Sequence, residues 1–145
     1  SQGTRAHQVA MYVVYEAPLQ MLCESPSVYR REQETVDFIT GIPTTWDETR
    51  VLEAAIGDYL VLTRRKGDDW YIGGMADWEA RTFIIPTHFL RGSYDVVSYA
   101  DGMNAEKFSE DYRILKHTVT SGDTLRIEMK PGGGFAAILH KKHDF

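Results

Sequence analysis

The clearest alternation of hydrophobic and polar positions lies in the stretch YLVLTRRKGDDWYIGGMADW, residues 59–78. Leu60, Leu62 and Arg64 fall on one face of an extended chain, and the residues between them fall on the other. The letters KGDD are typical of a tight turn, and the aromatic residues after them suit a returning strand. The pattern predicts a β-hairpin in which the glycine pair at 73–74 marks a bulge or a close backbone approach.

Downstream of this hairpin a turn signal follows every ten residues or so, which is typical of an antiparallel sandwich of seven or eight strands. The predicted strands are 81–85, 94–99, 112–120, 124–129 and 135–140. Upstream, residues 44–56 are ambiguous. Thr45 and Glu48 have the spacing of a helical capping box, whereas the alternation that follows favours a strand.

The first part of the chain has helical spacing instead. We predict a helix over 6–23, capped by Thr4 and broken at Pro18, and a second helix over 28–40 that ends at Gly41. The first helix is apolar around its whole circumference, as buried helices are. We therefore expect it to pack inside something larger, with a homodimer or a helix sandwiched within the chain as the alternatives. The apolar face expected to be exposed and to drive self-association comprises Val9, Tyr12, Val13 and Leu19.

Chain length, net charge and cysteine count exclude several classes of protein. The chain has 145 residues, which suits one domain with a modest core, and its net charge of −5 argues against nonspecific nucleic-acid binding. Cys23 is the only cysteine, so no internal disulfide can form. We find no signal peptide and no apolar run long enough to span a bilayer.

Candidate chemistry is sparse. The five histidines show no metal-ligand spacing, so no metal site is predicted. Asp47 and Glu48 beside Trp46 resemble the carboxylates and aromatic ring of a sugar-cleaving site. However, adjacent residues of an extended chain point to opposite faces, so these two carboxylates cannot act as a facing pair. No catalytic residue is therefore assigned. Trp78 is expected to be exposed and able to stack on a sugar ring, with Trp46 or Tyr71 as further candidates, whereas Trp70 is expected in the core.

Four strings carry a resemblance to a known family. They are GTRAHQVAMYVVYEAPLQML at 3–22, SPSVYRREQETVDFITGIPTTWDETRVL at 25–52, GDYLVLTRRKGDDWYIGGMADW at 57–78, and MKPGGGFAA at 129–137. Together they resemble the C-terminal end of glycoside hydrolase family 97. Its members are α-glycosidases, mostly α-glucosidases and α-galactosidases of Gram-negative bacteria, with an N-terminal β-sandwich, a catalytic (β/α)8 barrel and a C-terminal β-sandwich.

The resemblance implies a mainly β fold: an antiparallel β-sandwich preceded by two α-helices from the end of a (β/α)8 barrel. Residues 1–45 would be the terminal helices and last strand of the barrel, and residues 46–145 the sandwich. For that reason we predict a strand, not a helix, over 49–55. Trp46 and Asp47 would follow the last barrel strand and line the edge of the substrate site.

The same resemblance implies a role for the chain within a larger enzyme. The parent would be a calcium-dependent α-glycosidase acting on oligosaccharides in the periplasm or outside the cell, with its catalytic carboxylates and calcium ligands upstream of this chain. A (β/α)8 site is assembled from loops after several strands, so the chain alone cannot hydrolyse a glycoside. Its own role would be structural, packing on the rest of the barrel and associating subunits into a homo-oligomer. The alternative is a carbohydrate-binding module that uses exposed Trp and Tyr.

Overall fold

The computed structural model describes residues 3–15 and 33–143. Within these residues the chain forms two helices and eight strands. The elements are α1 (Arg5–Val14), α2 (Gln33–Thr40), β1 (Glu48–Ala55), β2 (Tyr59–Lys66), β3 (Asp69–Ala76), β4 (Arg81–Pro86), β5 (Ser93–Asp101), β6 (Tyr112–Thr120), β7 (Thr124–Met129) and β8 (Gly134–Lys141). None of the described helices has the length and apolarity that a membrane span requires.

The strands form two antiparallel sheets. Six of them lie in the order β1-β2-β3-β8-β5-β6, and the two-stranded sheet is β4-β7. The last strand, β8, enters the middle of the large sheet, between β3 and β5. Its central position accounts for the unbroken run FAAIL, because a strand covered on both faces needs apolar side chains at consecutive positions. The mainly β sandwich predicted from the sequence is confirmed.

The large sheet is the middle layer of three. One of its faces packs on β4 and β7 around a core that includes Val61, Ile72 and Leu139. The opposite face packs on the helices around a second core that includes Leu62, Tyr99 and Ile138. Successive side chains of β2 therefore point alternately into the two cores, as the alternation in the sequence predicts. The helices occupy the face that a second large sheet covers in an ordinary sandwich.

The first helix is not an exposed edge, which corrects the prediction made from its apolar circumference. Tyr12 is 3% exposed, Val13 is fully buried and Val9 is also buried, because α1 lies across the middle of the large sheet beneath Phe38 and Ile39 of the second helix. The partners of α1 are thus supplied by the same chain. Leu19, the fourth residue of that proposed face, lies outside the described residues, as does Pro18.

Two glycines let α1 approach the sheet closely. A Cβ on Gly73 would lie 2.9 Å from Val14 Cγ2 and 3.0 Å from Val13 Cβ, and a Cβ on Gly134 would overlap the backbone of His7. The predicted close approach at the 73–74 pair is confirmed, whereas the alternative of a bulge is wrong because β3 pairs in register with both neighbours there. The register shift occurs instead in β1, between Val51 and Glu53.

The boundaries of the strands follow the predictions closely, and the second helix ends at Thr40, just before the predicted stop at Gly41. The strands at 112–120 and 124–129 have the predicted ends, and β1 confirms the strand assignment of the ambiguous segment. Helix α1 begins after Thr4, whose hydroxyl accepts a hydrogen bond from the His7 amide as the predicted cap. It ends at Val14, and Tyr15 after it is extended. The rest of the first predicted helix, to Cys23, and the predicted start of the second at residue 28 lie outside the described residues.

Candidate functional site

A buried carboxylate fixes the end of the sandwich at which α1 begins. Asp101 lies at the end of β5, where its Oδ1 accepts a 2.6 Å hydrogen bond from the Thr4 hydroxyl. Its Oδ2 accepts bonds from the amides of Lys130 (2.8 Å) and Gly134 (3.2 Å). One side chain therefore links the helix N-terminus, the β7–β8 turn and the first residue of the central strand.

Burial changes the titration of the groups in this cluster. Desolvation raises the pKa of Asp101, although its hydrogen bonds and nearby His7 act in the opposite direction. Desolvation also lowers the pKa of His7, against the attraction of Asp101 and Asp77. Both pKa shifts favour the uncharged form of the side chain, because burial removes the water that would solvate a charge. The cluster accordingly acts as a structural joint, since the Asp101 carboxyl is engaged by the Thr4 hydroxyl and by the Lys130 and Gly134 amides.

The depressed pKa of His7 predicts a pH dependence of stability. Because the folded-state pKa lies below the usual 6.5, the contribution of neutral His7 is present above pH 6.5 and is lost as the pH falls through the folded-state value. We expect the urea midpoint of the chain to fall between pH 7 and pH 5 relative to that of the His7→Gln variant. Equal changes in both proteins over that range would contradict the prediction. The variant serves as the reference because it retains Asp101.

Next to this cluster, an open groove of about 480 Å³ runs between the start of the chain and Trp78. Its walls come from the residues before α1, from the β3–β4 connection, from the β5–β6 loop at 102–111 and from the β7–β8 turn. The lining residues are Gly3, Thr4, His7, Ala76, Asp77, Trp78, Ala105, Glu106, Ser109, Pro131 and Gly132. Trp78 is 81% exposed, which makes it the candidate with a ring free to contact a partner.

Trp46 and Asp47, the residues predicted at the edge of a substrate site, lie beside the β2–β3 turn. This turn is at the other end of β3 from the groove. The Trp46 ring meets Tyr71 edge-on at 5.2 Å, with the Arg64 guanidinium 5.6 Å from its centroid. Asp47 accepts a 2.8 Å bond from the Gly67 amide. Both side chains hold the β1–β2–β3 region together. Their place beside the parent's substrate stays a prediction.

The carboxyl groups beside Trp46, on Asp47 and Glu48, both have lowered pKa values, which does not suit a general acid. The Gly67 amide holds the pKa of Asp47 below its usual value, and hydrogen bonds from Arg50 and Arg65 do the same for Glu48. A general acid in a glycosidase needs the opposite shift. Within 3–15 and 33–143 no three His, Cys, Asp or Glu side chains converge as metal ligands require.

The remaining aromatic candidates are largely enclosed. Trp70 is in the sandwich core as predicted and meets Phe89 edge-on, while Tyr71 is buried on the helix face. Of the aromatic residues proposed for sugar stacking, Trp78 alone is exposed.

Sequence reasoning missed the Asp101 cluster. The string ADG at 100–102 has the composition of a turn that closes a strand, and nothing near it in sequence indicates burial. The partners of Asp101 lie 97, 29 and 33 residues away, so no local spacing could have revealed them. The one available signal was the triplet of glycines at 132–134, which indicates a backbone that other groups approach closely.

Comparison with known proteins gives the context of these features. Residues 45–140 match the family model described as "Glycosyl-hydrolase 97 C-terminal, oligomerisation". A retaining alpha-galactosidase of Bacteroides thetaiotaomicron is 47% identical over 137 residues, covering 94% of this chain and 21% of that protein. A probable retaining alpha-galactosidase of Streptomyces bingchenggensis is 32% identical over 133 residues, covering 92% and 20%. The chain thus spans about a fifth of the length of the curated relatives it matches.

Solved structures show the same relationship. A glycoside hydrolase family 97 enzyme from Pseudoalteromonas sp. strain K8, in complex with acarbose, superposes with a TM-score of 0.86 at 31% identity, over 98% of this chain and 23% of that one. The match includes α1 and α2 as well as the strands, because it covers nearly the whole chain. With the family model matching about two thirds of the residues, the chain belongs to glycoside hydrolase family 97, as part of its C-terminal oligomerisation region.

Proposed function

We propose that this chain is the C-terminal part of a larger retaining α-galactosidase, in which it holds subunits together and takes no part in bond cleavage. The observation that carries this proposal is the family match over 45–140, joined to 47% identity with a retaining alpha-galactosidase of which the chain spans only a fifth. The structure is consistent with this role because the carboxylates at Asp47 and Glu48 are engaged by the hairpin.

The open edge of β6 is the place where a second copy is expected to pair. Within the parts of the chain that the structure describes, the large sheet has two edges, β1 and β6. Edge β1 carries a register shift, a feature that discourages pairing with another chain. In contrast, β6 pairs with β5 along nine residues without a shift and presents Leu115 to solvent. Such an edge offers unpaired backbone groups to a symmetric partner.

This proposal is tested on the product of the complete gene. We expect light scattering to show an oligomer whose mass falls to that of a monomer when the polypeptide is truncated before residue 3, which removes α1 and α2 together with the sheet that covers them. Leu115→Lys should weaken the oligomer, whereas Val51→Lys on the bulged edge should leave it intact although Val51 is the more exposed of the two. An oligomer that survives the truncation would contradict the proposed role.

The catalytic part of the proposal has its own test. The full-length protein should release p-nitrophenol from an α-galactoside, while this chain alone should release none. Activity on α-glucosides but not on α-galactosides would replace the proposed substrate by the other one that the family resemblance implies. We further propose that the full-length enzyme requires calcium, held by residues upstream of this chain. An upstream signal would direct its export to the periplasm or out of the cell. Chelation and cell fractionation test these two points.

The alternative function is sugar binding by the chain itself, and the exposure of Trp78 favours it. If Trp78 stacks on a sugar, maltooligosaccharides or galacto-oligosaccharides should change the tryptophan fluorescence of the chain, and Trp78→Ala should abolish the change. Unchanged fluorescence at millimolar sugar would remove this alternative.

A further inference from the structure

A cavity of about 360 Å³ opens at the end of the sandwich that lies opposite Trp78. Its walls come from β1, the β2–β3 turn, the β4–β5 connection and the end of β8. We call this cavity the basic pocket, because its lining includes the basic side chains of Arg50, Arg65, His88, Arg91 and Lys141. The chain as a whole has a net charge of −5, so the pocket gathers cationic groups on an acidic protein.

On the β1–β2 wall of the basic pocket the positive charges are already neutralised. Glu48 accepts hydrogen bonds from Arg50 and, at 3.2 Å, from Arg65. The Asp47 carboxylate lies a further 3.7 Å from the Arg65 guanidinium. Two carboxylates therefore balance two guanidinium groups, and this wall has little charge left to offer a ligand.

The opposite wall has two cations that the chain does not neutralise. Among the side chains that the structure describes, no carboxylate forms an ion pair with Arg91 or Lys141. The next residue, Lys142, does have such a partner, because Asp95 lies 3.6 Å from its ammonium group. The Lys141 ammonium instead lies 5.9 Å from the centroid of the Tyr94 ring, a contact that leaves its hydrogen-bond donors available.

The acidic residues of the β2–β3 turn do not supply the missing partner. Asp69 accepts a 2.9 Å bond from the backbone amide of Lys141, and its other oxygen lies 3.0 Å from the ring of His140. Asp68 is exposed at the rim of the pocket and forms no ion pair with a described residue. Both carboxylates therefore leave the Lys141 ammonium group unpaired.

The β4–β5 connection, which places Arg91 in the pocket wall, is fixed by contacts of its own. The Thr87 hydroxyl donates a 2.6 Å bond to Asp123 O, which anchors the start of the connection. Leu90 is buried in the sandwich core, and the Arg91 amide donates to the Tyr94 hydroxyl at 3.3 Å. The backbone that carries Arg91 is therefore in place before a ligand arrives, which lowers the entropy lost on binding.

We propose that the basic pocket binds the oxyanion group of a small ligand: a carboxylate, a sulfate or a phosphate. Such a group would give Arg91 and Lys141 the acceptor that the described chain does not provide, and the guanidinium fork matches its paired oxygens. The volume is near the lower end for ligand sites, which limits the ligand to about the size of a monosaccharide. The inference goes beyond the proposed function, because the site needs neither a barrel nor a second subunit.

A titration followed by NMR tests the inference on the ¹⁵N-labelled chain in a phosphate-free buffer. The probes are galacturonate, galactose and inorganic phosphate; galacturonate differs from galactose in having a carboxylate in place of a hydroxymethyl group. Millimolar galacturonate or phosphate should shift the amide signals of Arg91 and Lys141 to saturation, whereas galactose should leave them unchanged. Tighter binding of galacturonate would identify a sugar as the carrier of the oxyanion, and equal or tighter binding of phosphate would identify the free anion; either result supports the site.

A charge-removing variant shows whether the pocket itself binds the anion. Arg91→Gln should weaken binding by roughly tenfold, as expected for the loss of a charge-assisted hydrogen bond. The thermal midpoint should not change, because the Arg91 side chain is exposed. Lys107→Gln is the matched control, since it removes the same charge from the exposed loop at the other end of β5 and should leave the affinity unchanged. If Arg91→Gln lowers the thermal midpoint, Lys141→Gln provides the same test.

Three results would overturn the inference. One is the absence of a saturable shift with either anion. Another is an equal response to galactose and galacturonate, which would mean that charge plays no part. The third is an equal loss of affinity in Arg91→Gln and Lys107→Gln, which would show that the anion responds to the charge of the whole chain and not to this pocket.

Discussion

Gly134→Ala is expected to lower the free energy of unfolding by roughly 3 kcal/mol, at the upper end of the cost of overpacking a core. The added methyl group would overlap the backbone of Ala6 and His7, which belong to the first turn of α1. Backbone cannot rotate aside as a side chain can, so the helix must lift from the sheet. For a chain of this size that loss corresponds to a fall of roughly 10 °C in the thermal midpoint.

Gly74→Ala is the matched control. Gly74 lies on the neighbouring strand, where its nearest contact would be the Met129 sulfur at 3.2 Å on the opposite face of the sheet. A methionine side chain adapts readily, and alanine suits the strand backbone better than glycine, so the change should be small. Urea unfolding of the two variants gives the comparison. Equal stabilities would mean that α1 does not rest on β8 at this point.

The contrast between these glycines shows what a sequence can and cannot reveal. Glycines inside apolar stretches indicate a close approach, and this was confirmed at Gly73. Which atoms approach depends on contacts between residues far apart in the chain, such as those of Ala6 with Gly134. The irregularity that the glycine pair also suggested lies in β1 instead, between Val51 and Glu53, where no glycine or proline marks it.

The same distinction explains the first helix. Its apolar circumference correctly indicated burial, because that property depends on the local sequence alone. The covering layer was wrongly sought outside the chain, because the sheet that provides it is built from strands far along the chain, between Glu48 and Lys141. Strand ends were easier to predict, since turn residues such as Gly67 and Gly122, both with positive φ, lie beside the strands they end.

The exposure of Trp78 could be predicted from the sequence, whereas the structural role of Asp101 could not. The exposure of Trp78 followed from its place just after a strand, beside the polar residues of a connection. Asp101 gave no such signal, because a carboxylate after a strand is ordinary in a surface turn. Its importance arises from three donors that the fold brings to it. Such convergence is a property of the folded chain and leaves no pattern in the local sequence.

Asp101→Ala should therefore destabilise the chain by roughly 3 kcal/mol, since about 1 kcal/mol is lost for each unsatisfied buried hydrogen-bond partner. Asp101→Asn should cost less, because its amide oxygen can still accept from the Lys130 and Gly134 amides. The two variants separate loss of the joint from loss of charge. Urea midpoints measured at pH 7 give the comparison, and an Ala variant as stable as the wild type would show that the three bonds contribute nothing.

The pH dependence gives a second measure of the same group. Because burial raises the folded-state pKa of Asp101 above its usual 3.8, the stability it contributes is greatest when it is protonated and declines as the pH rises through the folded-state value. The Asn variant cannot ionise. The midpoint difference, wild type minus Asp101→Asn, should therefore decrease as the pH rises from 4 to 7. A difference that grows over that range would mean that the three donors favour the ionised carboxylate more strongly than burial opposes it.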